Sequence, residues 1–404
     1  MSPLALSVAT CAMLGVSMLP SATFPALLPH FLDIWSLSST EAGWISGIYY
    51  AGYVVVVPVL TSMTDRVDAR RVLLAALLLT TLASLGFALF ADGLWSATVW
   101  RTMQGIGLAG TYMPGLKALT DRIPERMHSR AIAFYTSSFG VGTSLSYLIA
   151  GEAAAILDWR WAFALSGLGG ALALALAAWA LVPMPAQRDA PPTRLLDFRP
   201  VLANRRAMAF TLAYMLHNAE LFALRAWVVA YLVYCQGRAA GDEWGIGIRA
   251  TVIAMVVNLL GMPASVSTNE ATRRFGRPRT LLVAMGASGV VAVVLGQAAT
   301  LPYWWVLAVV VVYGWTVSAD SATLTAGTVE NADPRYRGAT MAVHSTIGFL
   351  GAVLGPVLFG FVLDAGGGVA IAGAWGWAFA AMAVLIAMGP ICIYGLHGPD
   401  RRGP

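Results

Sequence analysis

The chain has 404 residues, of which 58% are hydrophobic and 11% charged, with a net charge of +5 and a mean hydropathy of +0.71. A soluble domain carries about 25% charged residues, so a soluble enzyme is excluded. The basic residues are spread over six separate segments instead of one face, which argues against nucleic acid as a partner.

Taken in chain order, apolar stretches of roughly membrane-spanning length cover about residues 4–29, 42–62, 72–91, 95–118, 131–154, 161–182, 207–235, 245–267, 280–299, 303–327, 339–363 and 373–396. The first is long enough to span and has no Lys or Arg before Arg66, so it reads as a first helix and not as a signal peptide. The loops are short, polar and rich in Gly and Pro. The exception is residues 183–206, with Pro183, Pro185, Pro191, Pro192 and Pro200 among five arginines, an extended linker. Cys11, Cys235 and Cys392 lie far apart in or beside apolar runs, which gives neither a disulfide framework nor a thiolate metal site. No phosphate-cradling Gly loop, zinc spacing or nucleophile constellation is present, so no cofactor, metal or enzymatic activity is expected.

With both termini and the linker on the cytoplasmic side, 20 of the 25 Lys and Arg residues fall in cytoplasmic segments, and the opposite loops hold Arg160 and Arg238. The positive-inside rule turns that asymmetry into a topology in a bacterial inner membrane. The chain also repeats itself at half its length. Arg66 recurs as Arg274, Arg130 as Arg337, and Ser137–Gly140 in spacing as Ser345–Gly348. Two joined copies of a hydrophobic bundle are the plan of a secondary transporter, with its substrate site at the repeat interface near the bilayer midplane. The expected fold is an all-α membrane protein of twelve transmembrane helices in two six-helix halves, 1–182 and 207–404. One chain then holds both halves, so a monomer suffices.

The loop Asp65-Arg66-Val67-Asp68-Ala69-Arg70-Arg71 and the later run Arg101-Thr102-Met103-Gln104-Gly105-Ile106-Gly107 resemble the two signatures of the major facilitator superfamily, D-R-x-G-R-R and R-x-x-Q-G-x-G. The resemblance covers the whole chain. It implies a gating role for the loop, carried by Asp65 with Arg66 and with Arg70, Asp121 and Arg130 as neighbours. Asp68 stands where the signature has Gly and Ala69 where it has Arg, and the second-half loop Arg273-Arg274-Phe275-Gly276-Arg277 has Arg where the acid would fall. The Gly-Pro pair of antiporter-type members is absent from Gly140–Gly151, and Gly355-Pro356 appears in the eleventh stretch instead. The segments His217-Asn218-Ala219-Glu220-Leu221, Arg225-Ala226-Trp227, Asp320-Ser321 and Asp333-Pro334-Arg335-Tyr336 are most similar to the branch grouped with cyanate and nitrate permeases.

A charge at a helix centre costs about 2.5–3.5 kcal/mol on insertion scales, so intramembrane charges are functional candidates. Arg225 and Glu220 fall near mid-bilayer. Arg101 lies nearer the outer end, and helical spacing puts Gln104, Gly105, Leu108 and Tyr112 on its face. Asp320 has no cation near it in sequence and either pairs across helices or carries a proton. His217, one turn before Glu220, joins a proton relay or is a hydrogen-bonded packing histidine. His344 reads as interfacial, Lys117, Arg249 and Glu152 as snorkelling, and Gly348, Gly351 and Gly355 as a packing and rocking surface. The functional expectation is a proton-coupled secondary transporter of a small anion. Arg101, Gln104, Arg225 and Tyr112 would bind substrate, and Glu220, Asp320 and His217 would couple protons. Efflux of drugs or metabolites is the alternative.

Overall fold

A computed structural model describes residues 1–64, 66–185, 198–238 and 248–397. Asp65 and the linker centre, residues 186–197, lie outside the described residues. The long helices are α1 (Pro3–Ala26, interrupted at Met18), α2 (Ser39–Met63), α3 (Ala69–Phe90), α4 (Leu94–Thr120), α5 (His128–Ile156), α6 (Trp159–Ala180), α7 (Arg205–Arg238), α8 (Ala250–Phe275), α9 (Arg277–Gln297), α10 (Tyr303–Asn331, interrupted at Ala319–Asp320), α11 (Arg337–Ala365) and α12 (Ala372–His397).

Ten of these are long and apolar enough to cross a membrane. The other two, α4 and α7, have 27 and 34 residues, ample length, but they carry the polar residues Arg101, Gln104, His217, Glu220 and Arg225. Their lower hydropathy is thus the mark of what they hold inside. Large apolar side chains such as Val55, Leu89, Trp179, Val283 and Phe361 are exposed. Lipid solvates such faces, and continuous helices satisfy their own backbone groups there.

The chain divides into two compact units. Unit 1 comprises Met1–Leu37, Trp44–Thr193 and Arg249–Leu259, and unit 2 comprises Ser38–Gly43, Arg194–Ile248 and Leu260–Pro404. Within unit 2, α11 packs along α7 through Gly351 and Gly355. A methyl group on either would collide with a backbone carbonyl oxygen of α7, that of Met215 or that of Ala219 respectively. Here the glycines serve close backbone packing.

The two loops of the internal repeat solve one helix-start problem in two ways. Asp68 and Gly276 occupy equivalent repeat positions, each just before a helix. Gly276 has φ 76°, a left-handed conformation that favours glycine. Asp68 has φ −53° and uses its carboxylate to cap α3, accepting from the Arg70 N–H at 3.0 Å. The signature's Gly is replaced because an acidic cap needs no left-handed backbone.

Both oxygens of the same carboxylate accept from Arg122 Nη2, at 2.8 and 2.9 Å, and Oδ2 also accepts from the Met184 N–H at 2.8 Å. Burial pushes the Asp68 carboxyl up. The Met184 N–H, the Arg122 guanidinium and the Arg70 N–H together outweigh it and hold the group below its ordinary range. A depressed folded-state value contributes stability that is present above the unfolded value and lost as pH falls through the folded one. Asp68→Asn keeps a cap but leaves Arg122, only 6% exposed, without its counter-charge. The expected loss is about 2 kcal/mol at neutral pH. A thermal melt should show the gap between variant and parent closing below about pH 4.

Candidate functional site

In unit 1 the site is built around a break in α1. Proline lacks an N–H, so Pro25 leaves the Ser21 carbonyl without its helical donor, and the chain is interrupted at Met18. Side chains from neighbouring helices take over. Ser146 of α5 donates to the Leu19 carbonyl and accepts from the Ala22 N–H, and Thr23 bonds Ser166 of α6 at 2.9 Å. Arg101 of α4 is fully buried. Its Nη1 donates to the Pro20 carbonyl at 2.7 Å and to Gln104 Oε1 at 3.0 Å, and its Nη2 lies 3.4 Å from the Ser21 carbonyl. The guanidinium carbon sits 4.3 Å from the centre of the Tyr49 ring, a cation–π contact. Among the described residues no carboxylate pairs with it. Gln104 is anchored in turn on Ser84 at 3.2 Å. Gly105 lets α2 approach so closely that a methyl there would strike the Tyr49 carbonyl.

Tyr112 does not join Arg101. Eleven residues separate them, about 16 Å along the helix, and the Tyr112 ring lies against Phe139 and Tyr135. One helical face is not one site when it extends over three turns.

In unit 2, α7 carries the constellation. Glu220 is fully buried, and its Oε1 accepts from Ser288 of α9 at 2.8 Å and from Tyr313 of α10 at 3.0 Å. Among the described residues, Oε2 has no hydrogen-bond donor. His217 Nδ1 lies 2.7 Å from Asp320 Oδ1, within ion-pair distance but outside hydrogen-bond geometry, and both side chains are buried. Asp320 stands at the interruption of α10, and Ser265 of α8 caps the second half by accepting the Ala322 N–H at 2.9 Å. Interrupted helices at membrane depth are tolerated where polar groups meet the freed backbone. Arg225 is half-buried, with its guanidinium carbon 5.0 Å from the Phe222 ring centre. The structure therefore brings together His217 and Asp320, and places Glu220 on the same helix with separate neutral partners.

Asp65, the centre of the expected gating network, lies outside the described residues, and its expected neighbours have the following partners. Arg70 donates from Nε to the Leu181 carbonyl at 2.6 Å and from Nη2 to the Ala178 carbonyl at 3.2 Å, capping the end of α6. Asp121 pairs with Lys117 at 3.1 Å, Arg130 lies over Phe134, and Arg66 is exposed. Asp68, where the sequence departs from the signature, forms a further ion pair with Arg122. Glu152 and Arg249 form an ion pair, which replaces the snorkelling reading of each. His344 is buried and bonded to threonine hydroxyls.

A model of the major facilitator superfamily matches residues 5–268 and 239–404. The chain belongs to that superfamily. A probable multidrug-efflux transporter of Mycobacterium tuberculosis is 27% identical, covering 93% of this chain and 92% of the relative. A gentisate transporter of Corynebacterium glutamicum is 24% identical over 81% of this chain and 74% of its own length. Among solved structures, a bacterial homologue of the human lysosomal transporter Spinster, in an inward-facing and occupied conformation, superposes with a TM-score of 0.78 at 16% identity, covering 98% of this chain and 97% of the other. The nucleoside transporter NupG does so at 0.74 and 15%, covering 96% and 100%. These likenesses show the superfamily's all-α membrane fold. The chain is a membrane transporter.

Proposed function

We propose that this transporter is secondary active and moves a small anion by alternating access, coupled to protons, with both termini cytoplasmic in a bacterial inner membrane. The observation that carries the coupling is Glu220, a fully buried carboxyl with hydroxyl partners on one oxygen and none on the other. Ionisable groups at membrane depth are costly and mark ion or proton pathways. The His217–Asp320 pair is the second proton-holding candidate. The anion reading rests on Arg101, a buried guanidinium whose partners are all neutral, and on Arg225 of α7. The gentisate relative, named for an aromatic carboxylate, supports the same substrate class, as do the α7 segments that resemble the cyanate and nitrate permease branch. The relative named for multidrug efflux favours the alternative, proton-driven export.

Reconstitution separates the two. In sealed proteoliposomes with an imposed proton gradient, aromatic carboxylates such as gentisate should accumulate with proton flow, and cationic drugs should not be expelled. Arg101→Lys retains the charge but loses the planar fork that reaches two carbonyls and the Tyr49 face at once. Its carboxylate uptake should fall at least about tenfold, equivalent to about 1.4 kcal/mol. Normal uptake by Arg101→Lys and Arg101→Gln, or export of cations alone, would move efflux ahead.

A further inference from the structure

His344 lies about two turns into α11 and is 3% exposed. Its Nδ1 lies 3.1 Å from Thr328 Oγ1 and 3.4 Å from Thr211 Oγ1, and its Nε2 lies 3.3 Å from Thr325 Oγ1. Every partner is a hydroxyl. A hydroxyl donates or accepts by rotating, so the ring keeps hydrogen-bond partners on both nitrogens whether it is neutral or charged. A packing histidine pinned by a carbonyl or carboxylate has one tautomer fixed for it. His344 has none fixed.

The imidazole also stacks on Tyr214 of α7, with centroids 4.3 Å apart and planes 18° apart. Tyr214 stacks with His217 as well, at 5.6 Å and 21°. One phenol ring thus contacts both imidazoles, and its face favours a cation on either. The titratable groups facing His344 are Tyr214 and His217 on α7, with Asp320 of α10 behind His217. The short helix Arg199–Ala203 and α12 contribute no ionisable group bonded to it among the described residues.

We propose that His344 is a further proton-holding residue of unit 2, coupled through Tyr214 to the His217–Asp320 pair, so that a proton on one imidazole disfavours a proton on the other. The two rings lie within about 10 Å of each other, a separation at which unit charges in a protein interior interact by about one pH unit. A proton on one ring therefore opposes a proton on the other. This inference rests on the proton-coupled reading above.

The test is the pH dependence of gentisate accumulation in proteoliposomes for the parent and for His344→Gln, which keeps a donor and an acceptor for the threonines. The midpoint should move by about one unit in His344→Gln. In a His217→Asn background the same change should move it no further, as expected for coupled sites. An unmoved midpoint in His344→Gln, with the parent still coupled, overturns the role of His344. A parent that shows no proton-driven accumulation overturns the coupling reading itself, so the two failures are distinct. Should His344→Gln not fold, ring-nitrogen NMR of the full-length parent answers the question, with His217 assigned from His217→Asn. Biphasic, linked titration of the two rings supports the coupling, and independent or absent titration of His344 refutes it.

Discussion

Gly351→Ala should yield almost no folded transporter, and Gly105→Ala should behave alike. In each case the new methyl meets a backbone carbonyl, that of Met215 on α7 or of Tyr49 on α2. No rotamer can yield to it, so two helices must separate along their length. Overpacking a dense interior costs about 1–3 kcal/mol where side chains can shift, and the rigid neighbours here put the cost at or above the top of that range. Gly286→Ala is the matched control. It lies within α9 with open space around it, and alanine is the better helix former by about 1 kcal/mol. The measurement is the yield of monodisperse protein in detergent and its melting temperature. Equal yields for Gly351→Ala and Gly286→Ala would mean that the close approach of α11 to α7 is not required.

The fold was legible because bilayer thickness dictates helix length and every exposed backbone group must be paired internally. Runs of about 20 apolar residues therefore translate directly into helices. Even α4 and α7, which carry the buried polar residues, were read as apolar stretches of spanning length. The site was legible only in part. Glu220, His217, Asp320 and Arg101 were singled out by the cost of burying charge, but their partners come from other helices. Nothing in sequence spacing links Glu220 to Ser288 and Tyr313, or His344 to Thr211. Tyr112 was included with Arg101 because helical periodicity gives direction around the axis but not reach along it. His344 was read from its depth along α11 alone, which says nothing of the threonines that bury it. Asp68 was passed over because a signature directs attention to the residues that match. The residue that departs from it makes the ion pair with Arg122.

Glu220→Gln should make anion uptake sensitive to membrane potential. Gln retains an acceptor for Ser288 and Tyr313 and nearly the same volume, so the surrounding packing survives, but Oε2 becomes an amide nitrogen that cannot carry a proton. If Glu220 carries the coupled proton, the parent moves a monoanion together with one proton and transfers no net charge. Its accumulation ratio then follows the pH gradient and ignores voltage. Without the proton, each monoanion entering an interior held at −100 mV works against about 2.3 kcal/mol, which lowers the attainable accumulation about 50-fold. Setting the potential with a potassium gradient and valinomycin, and measuring steady-state gentisate ratios at fixed pH, reads this directly. Asp320→Asn supplies the comparison, since it removes the carboxylate beside His217 and leaves the Glu220 partners intact. Voltage sensitivity in one variant alone identifies that residue as the carrier. Uptake that stays voltage-insensitive and pH-driven in both variants would remove the two carboxylates from the coupling step and leave the histidines of unit 2 as its remaining proton-holding groups.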